Sequence, residues 1–320
     1  MLRRAIAALL LMPALTSIAF AQQWPTRPIH AIVPLSAGSS LDIIARAVFE
    51  QVSASLGQSI IVENRPGAGN TIAMTTVARA EPDGYTILVN SSTHTLVPVT
   101  YANLPFDTLR DLVPIIPVGN VPLVLMVSAS KGYKDVAGFV SAARAKGRNV
   151  NYVSGGAGSS THFAGEAFRL AAGFEAVHIP QRGAPEALTE VLAARADYYF
   201  SPLPAALPFL QDGKLQALAV STSRRSTLLP NAPTLRELGY PEAEYNFWIA
   251  LFAPSKTPQP IVEKLRQEIA RALHNPAMQE RLGKFGVDSL PLDLPEFEKL
   301  LENEVTLNAR LAKAVGLKVD

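Results

Sequence analysis

The sequence contains no cysteine, and this absence excludes several kinds of site at once. Without cysteine there can be no disulfide, thiolate zinc site, iron–sulfur cluster or cysteine nucleophile. A lipid-anchored lipoprotein is excluded as well, because it needs a cysteine at its cleavage point. Charged residues are also scarce, at 18% of the 320 residues, whereas 48% are hydrophobic. This balance excludes a wholly disordered chain, and the length predicts about two domains with buried cores.

A basic excess of the kind that binds nucleic acid is absent too. Arg3 and Arg4 precede an uncharged run over residues 5–20, and a small-x-small cleavage site ends at Ala21, so residues 1–21 are predicted to be a secretory signal peptide. The alternative is a membrane anchor, but the run is short for a spanning helix and contains Pro13. Cleavage removes two of the 29 basic residues and none of the 27 acidic ones. We therefore expect a periplasmic protein that neither binds nucleic acid nor inserts into the membrane.

Most catalytic and cofactor signatures are missing. Gly158-Ser159 lacks the trailing glycine of a G-x-S-x-G nucleophile elbow, and neither glycine-rich loop completes a dinucleotide-binding or Walker pattern. The five histidines do not have metal-ligand spacing, so neither a metal nor a cofactor is predicted. His162 and His178 are interpreted as structural hydrogen-bonding groups, although His162 borders a glycine-rich loop. We expect no enzyme, and an exported hydrolase is a remote alternative.

Short β-rich runs alternate with helical patterns, which is typical of an α/β fold. Apolar residues at helical spacing predict a helix over 41–56 that stops at Gly57, and Asp135 is expected to cap another helix. Further helices are expected near residues 70–80, 161–172, 185–194, 258–273, 276–285 and 295–315. Three prolines within residues 104–117 interrupt this pattern.

Two domains joined by two crossing segments are predicted. The apolar runs Val121–Ser128 and Phe247–Ala253 are interpreted as the crossings. Residues 22–120 together with 253–320 would form a discontinuous first domain, and residues 121–252 the second. A strand, a Gly/Ser loop and a helix occur in this order near residue 36 and again near residue 154. Because ligands of open α/β sheets bind beyond the carboxyl ends of the strands, where helix N-termini attract anions, we expect a hinged cleft.

Charged residues near these loops have more than one interpretation. Asp42, just inside the first predicted helix, either stabilises its N-terminal turn through the helix dipole or contacts a ligand or a water. Arg46 lies one turn further along and can pair with it. Arg65 and Arg182 lie in loops where they can meet an anion, although Arg65 precedes a proline and is expected to bond local carbonyls.

Eight segments of the chain match a known family in order. They are WPTRPIHAIVPLSAGSSLDIIARAV, GQSIIVENRPGAGNTIA, EPDGYTILV, YVSGGAGSSTHFAGEAF, VHIPQRGAPEAL, GKLQALAVST, LPNAPTLRELGYP and APSKTPQPIVEKL. Together they resemble the Bug family, the extracytoplasmic solute receptors of tripartite tricarboxylate transporters. The resemblance covers nearly the whole mature chain and implies a two-domain periplasmic binding protein of type II topology. Such a protein closes on a small carboxylate and presents it, as a monomer, to a membrane permease.

The resemblance also implies which residues bind the ligand. In the family, the first β–α loop holds a carboxylate, partly through ordered waters, and loops of the second domain contact the distal end of the ligand. The matching positions in this sequence are Leu35, Ser36, Ala37, Gly38, Ser39, Asp42, Ser92, Ser154, Gly158, Ser159, Thr161, Gly183, Ala184 and Ser201.

Several positions depart from the usual family pattern. Leu35 stands in place of a phenylalanine, and Ser39 in place of a glycine, so that its hydroxyl can replace a water. Residues 180–183 read Pro-Gln-Arg-Gly instead of Pro-Tyr-Lys-Gly. Ser201 stands where many members, amino-acid binders among them, carry an aspartate. Because a ligand ammonium loses its partner, we expect a dicarboxylate or an aromatic acid rather than an amino acid. A ligand-dependent sensor partner of a signalling system is the alternative within this fold.

Overall fold

Two five-stranded sheets with helices on their faces make up the computed structural model, which describes residues 24–315. The predicted signal peptide lies outside these residues. The strands are β1 (Ile29–Val33), β2 (Ile60–Asn64), β3 (Thr86–Ser91), β4 (Leu112–Val121), β5 (Leu123–Ser128), β6 (Asn151–Ser154), β7 (Val177–Pro180), β8 (Tyr198–Pro202), β9 (Leu215–Val220) and β10 (Phe247–Pro254). The helices are α1 (Ser40–Leu56), α2 (Thr71–Ala78), α3 (Thr93–Thr100), α4 (Val136–Lys146), α5 (Ser160–Ala171), α6 (Ala184–Leu192), α7 (Leu203–Gln211), α8 (Gln259–Leu273), α9 (Pro276–Lys284) and α10 (Leu294–Val315). The predicted α/β fold is confirmed.

Both sheets have the same internal arrangement. The first has the strand order β2-β1-β3-β10-β4, and the second has the order β7-β6-β8-β5-β9. In each sheet three strands run parallel, and the fourth in the order runs antiparallel to the third and fifth. The repeated strand–loop–helix unit of the sequence therefore corresponds to a repeated sheet.

Helix α1 shows how the sequence determines an element here. Leu41, Ile44 and Val48 lie on one face and are at most 1% exposed, as their helical spacing predicts. Burying an aliphatic side chain of this size contributes about 1.5–3 kcal/mol, so this face anchors the helix to the first sheet. The helix ends at Gly57, which adopts the left-handed conformation (φ 68°) at no steric cost. This helix places its N-terminus at the carboxyl end of β1.

Two predicted crossing segments are corrected by the structure. Residues 121–128 are not one strand, because Val121 ends β4 in the first sheet and Leu123 begins β5 in the second. Pro122, which has no N–H to continue a ladder, separates them. Residues 247–253 belong to β10, a fully buried strand with a neighbour on each side in the first sheet. The chain therefore returns to the first sheet before Phe247.

Three elements were not expected from the sequence: β4, α3 and α7 (Leu203–Gln211). Strand β4 contains Pro114 and Pro117, which interrupt the local pattern. The strand tolerates both because it lies at the sheet edge, where an N–H can be missing. Helix α3 consists largely of β-branched residues with Pro98 inside it, and it is stabilised by packing against α10 instead of by local propensity. Within residues 24–315, no helix is long and apolar enough to span a membrane.

Candidate functional site

A cavity lies between the two sheets, at the edge where their parallel strands end. Its volume is small, about 20 Å³, which is room for about one water molecule, so a larger ligand needs the cleft to widen. Its lining consists of Leu35, Ser39, Ser40, Leu41, Asn70, Ser91, Thr93, Gly155, Ser159, Ser160, Thr161, Ala184, Tyr199, Pro202 and Phe247. None of these side chains is charged, and seven are serine or threonine. The cavity therefore offers neutral hydrogen-bonding groups against an apolar background.

Ser39 has an unused hydroxyl on the cavity wall. It is the N-cap of the 17-residue helix α1, but its side chain makes no capping hydrogen bond. The residue is 0% exposed, and its Oγ has no hydrogen-bond partner within residues 24–315. A buried hydroxyl without a partner costs about 1–3 kcal/mol, and a hydrogen bond to a molecule in the cavity would remove this cost. The partial positive charge of the α1 N-terminus makes an anion the favoured partner.

Ser159 occupies the equivalent place in the second sheet and is used differently. It is the N-cap of α5, and its Oγ accepts a hydrogen bond from His162 N at 3.3 Å. The same hydroxyl donates to Gly156 O at 2.7 Å. Since both capacities serve the loop and the helix, Ser159 shapes the cavity wall, whereas Ser39 leaves a free group there.

Asp42 supports the first loop from behind the cavity. Its carboxylate accepts hydrogen bonds from Gly38 N and Arg46 Nε, both at 2.9 Å, and from Asn64 Nδ2 at 3.0 Å. Burial alone would raise the pKa of Asp42, but these hydrogen bonds lower it below its usual value. Of the two interpretations of Asp42, the structure therefore favours the one in which it stabilises the start of α1.

Hydrogen bonds join the two halves of the molecule across the cavity. Ser160 Oγ lies 2.9 Å from both Ser92 Oγ and Thr93 Oγ1. Farther out, Ser36 Oγ donates to Glu186 Oε1 at 2.7 Å. These contacts link residues more than 60 positions apart in the chain and close the cavity. The structure is thus a closed form.

The predicted ligand-binding residues fall into two groups. Five of them line the cavity: Leu35, Ser39, Ser159, Thr161 and Ala184. The others lie outside the lining: Ser36, Ala37, Gly38, Asp42, Ser92, Ser154, Gly158, Gly183 and Ser201. Within the second group, Gly183 permits a close approach, because a Cβ there would lie 3.1 Å from Ser36 N. The predicted ligand-binding set and the cavity lining therefore overlap in part, and the ligand-binding roles stay predictions.

Several lining residues were missing from the prediction. Thr93 and Ser160 directly follow the predicted Ser92 and Ser159, and the structure turns them inward at the starts of α3 and α5. Asn70 directly follows the Asn-Arg-Pro-Gly-Ala-Gly segment. Its position at the start of a predicted helix was a signal by which it could have been included. Tyr199 and Phe247 lie in apolar strands that resemble ordinary core, so the sequence contained no sign of their role.

Ser201 lies behind the cavity wall and not on it. It is fully buried, its Oγ donates to Pro202 O at 3.2 Å, and it contacts the Tyr199 hydroxyl. Burial raises the pKa of Tyr199, so this phenol stays neutral. The side chain that faces the cavity at this point is that of Tyr199 and not that of Ser201, and the expectation that Ser201 disfavours an ammonium stays a prediction.

The loop arginines do not reach the cavity. Arg65 was expected to bond local carbonyls, but it pairs instead with the Glu63 carboxylate at 2.9 Å. Arg182 is exposed in the outer part of the cleft, together with Gln181 and Glu186. Within residues 24–315, no three histidine, aspartate or glutamate side chains are grouped to hold a metal ion.

A family model now identifies the chain. The model described as "Tripartite tricarboxylate transporter family receptor" matches residues 44–317. The chain belongs to this family. The Bug resemblance of the sequence is thereby confirmed, and the protein is a solute-binding receptor rather than an enzyme.

Relatives of the receptor match over nearly their whole length. Protein BugT of Bordetella pertussis is 33% identical over 301 residues, which cover 93% of this chain and 92% of BugT. The solved periplasmic binding protein BugD is 29% identical, with a TM-score of 0.89 over 92% of this chain and 99% of that one. An R. palustris protein solved with adipate is 30% identical, with a TM-score of 0.88 over 92% and 99%. MatC from Rhodopseudomonas palustris, solved with bound malate, is 29% identical, with a TM-score of 0.86 over 90% and 99%.

Proposed function

We propose that the receptor captures a small organic carboxylate without an amino group and presents it to a membrane permease of the tripartite tricarboxylate type. The observation that carries this proposal is the buried, unpartnered hydroxyl of Ser39 at the N-terminus of α1. A carboxylate oxygen placed there would accept from Ser39 Oγ and be stabilised by the helix dipole. The ligand would be a dicarboxylate or an aromatic acid.

The uncharged lining supports the choice of an acid over an amino acid. Of the seven serine and threonine hydroxyls in the lining, that of Ser39 has no partner within residues 24–315 and can donate to a carboxylate. An ammonium group would need an anion or several acceptors, and no aspartate or glutamate lines the cavity. Leaving a charged ammonium in a closed, uncharged cavity costs several kcal/mol. The relatives solved with adipate and with malate support this choice, since both of those ligands are dicarboxylates without an amino group.

We also propose where the receptor acts and how its domains move. We propose that residues 1–21 export the protein to the periplasm, where it acts as a monomer. The two sheets would move as separate domains about the crossings near Pro122 and before Phe247, opening the cavity to solvent. Closure would bury the ligand and create the surface that the permease recognises.

A paired thermal-shift screen tests the ligand class. The mature protein is unfolded and refolded to remove any co-purified ligand, and then melted with acids and their 2-amino counterparts, such as succinate with aspartate and glutarate with glutamate. 3-Phenylpropanoate is paired with phenylalanine to cover acids with an aromatic ring. A ligand at about 100 times its Kd adds about 2.7 kcal/mol of stability, which is easily detected. We expect a shift with at least one acid and none with its amino counterpart; a larger shift with the amino acid would contradict the proposal.

A further inference from the structure

Two histidines form a stacked pair behind the second ligand loop, which spans residues 154–160. The rings of His162 on α5 and His178 on β7 are 3.6 Å apart at their centroids, with 9° between their planes. The buried ring of Tyr152 also stacks on His178, with 4.9 Å between the two ring centroids. Nothing in the proposed carboxylate binding itself uses these rings, because neither of them lines the cavity.

Each ring is hydrogen-bonded to this loop. Gly158 N donates to His162 Nδ1 at 3.1 Å, so that nitrogen must be unprotonated. His178 Nε2 lies 2.7 Å from Ser154 Oγ, which also accepts from Gly156 N at 3.1 Å. The pair therefore holds both the beginning and the middle of the loop, whose remaining residues form the cavity wall.

The loop needs this support because of its own geometry. Gly156 and Gly158 have φ values of 139° and 74°, which belong to conformations that few residues adopt. Glycine also gives the backbone many alternatives in solution, so holding one conformation depends on contacts. Gly155, Ser159 and Thr161 can line the cavity only while the loop keeps this shape.

The surroundings of the pair disfavour a positive charge. From β6, Tyr152 donates its hydroxyl proton to Glu166, and from α5, Arg169 pairs with the same carboxylate at 2.8 Å. Within residues 24–315, neither ring of the pair forms an ion pair with a carboxylate. Burial lowers the pKa of His162 to about 4, and burial together with the neighbouring His162 ring lowers that of His178 to about 3.

We propose that His162 and His178 are positioning residues that keep the second ligand loop in its binding conformation, and that they do so only while His162 Nδ1 is unprotonated. A proton on His162 Nδ1 removes the acceptor of the Gly158 N–H and sets a charge against the face of the other ring. The loop then loses its fixed shape, and ligand affinity falls in acid. This inference rests on the proposed function, because it concerns the same cavity.

Two variants of one residue separate hydrogen bonding from packing. In His162→Asn, the amide oxygen can stand where Nδ1 stands and accept from Gly158 N, but it does not titrate. In His162→Leu, an apolar group of similar reach has no acceptor. His274→Asn is the control, since His274 is at the end of α8 and bonds only to Ala270 O of its own helix. Melting curves establish that each variant is folded.

Binding of malate and of adipate is measured by calorimetry at pH 7.5 and pH 4.0. At pH 7.5 we expect His162→Asn to bind within about twofold of the unmodified protein, and His162→Leu to bind about tenfold more weakly, the equivalent of about 1.4 kcal/mol. At pH 4.0 the unmodified protein should lose about twofold more affinity than His162→Asn, because about half of its His162 rings are then charged. The ligand's own titration is common to all variants and cancels in this ratio.

A second readout needs no ligand. In amide NMR spectra of the free protein, the Gly158 resonance should move between pH 5.5 and pH 3.5 together with the His162 ring signals. It should stay in place in His162→Asn. The inference would be overturned by a Gly158 resonance that does not move as His162 titrates. It would also be overturned by a His162→Leu protein that binds as tightly as the unmodified one. If no acid binds the unmodified protein at all, the proposed function fails instead, and the NMR titration still decides the role of the histidines.

Discussion

Two serines in equivalent positions, Ser39 and Ser159, make different hydrogen bonds at the site. Both precede a helix at the carboxyl end of a parallel strand, but only Ser159 bonds back to its helix. Ser39 leaves its hydroxyl in the cavity without a partner. The same amino acid is therefore structural in one half of the molecule and available to a ligand in the other.

Alanine substitutions should separate these two roles. We expect Ser39→Ala to weaken dicarboxylate binding about tenfold, because it removes a donor to the ligand, and to raise the free energy of unfolding of the empty protein by about 1–3 kcal/mol, because it removes a buried hydroxyl without a partner. Ser159→Ala should lower that free energy by about 1 kcal/mol, because it removes an N-cap. Chemical denaturation and calorimetry of both variants provide the measurement. If Ser39→Ala loses stability but keeps its affinity, the assignment of Ser39 is wrong.

Residue roles that depend on short spacing could be predicted from the sequence. Asp135 caps α4 by accepting from Gly138 N at 2.7 Å, and Asp42 pairs with Arg46 one turn away, as expected. The roles of Tyr199 and Phe247 could not be predicted in this way, because an apolar strand residue that faces a cavity looks the same in sequence as one that faces a core.

Among the elements, α10 packs against α3 through a buried carboxyl group. Glu304 accepts from Trp248 Nε1 at 3.0 Å and from Thr95 Oγ1 at 2.9 Å. Burial raises the pKa of Glu304 to about 7, although these two donors oppose the shift. Because the value in the folded state exceeds the usual 4.5, the stabilising contribution is complete below pH 4.5 and is lost as the pH rises through 7.

A neutral replacement should remove this pH dependence. In the unmodified protein, the free energy of unfolding should fall between pH 5 and pH 8 by an amount on the order of 3 kcal/mol. Glu304→Gln should make this part of the profile nearly flat, since its amide can still accept from Trp248 and donate to Thr95. Glu302→Gln, an exposed position on the same helix, is the matched control. Denaturant titrations at several pH values measure the slopes; equal slopes in all three proteins would contradict the assignment.

Elements with strong helical periodicity and clear end signals were predictable, and those held by tertiary contacts were not. Helix α1 begins and ends within one residue of its predicted bounds, because its apolar face and Gly57 specify it locally. Helix α3 escaped prediction, since β-branched residues and Pro98 disfavour a helix until α10 packs against it. Strand β4 escaped because its prolines are acceptable only at a sheet edge, and strand order is not visible in one sequence.

For the whole molecule, we expect binding to depend on closure of the cleft. Gly69 lies at the contact between the two halves, where a Cβ would be 2.4 Å from Ala157 O across the cleft and 2.3 Å from Tyr101 Oη. Tyr101 Oη itself donates to Ala157 O at 3.2 Å. The two loops can therefore meet only while residue 69 has no side chain.

Gly69→Ala should hinder closure. Its matched control is Gly57→Ala, which has a similar positive φ (68° against 56°) but no atom within 4 Å of the added Cβ. Both variants should lose stability from backbone strain, whereas only Gly69→Ala should bind dicarboxylates more weakly, by at least about tenfold. Small-angle scattering at saturating ligand should show a larger radius of gyration for Gly69→Ala. Equal affinities in the two variants would show that this contact does not limit closure.

The repeat of strand, loop and helix in the sequence indicated two similar sheets facing one cleft, and the structure contains them. The hydrogen bonds that join the two sides of the closed cleft were not predictable. They join pairs such as Ser36 with Glu186 and Ser92 with Ser160, which are 150 and 68 residues apart in the chain. Single-sequence patterns report local periodicity, and contacts between distant loops leave no such pattern.

A crystal structure of the refolded receptor with the dicarboxylate that gives the largest thermal shift would test the central claim most directly. We predict a closed cleft in which one carboxylate oxygen lies within hydrogen-bond distance of Ser39 Oγ and of the first amides of α1. No charged side chain should touch the ligand in the inner cavity. A carboxylate held instead by Arg65 or Arg182 in the outer cleft, with the Ser39 hydroxyl still unpartnered, would contradict the account.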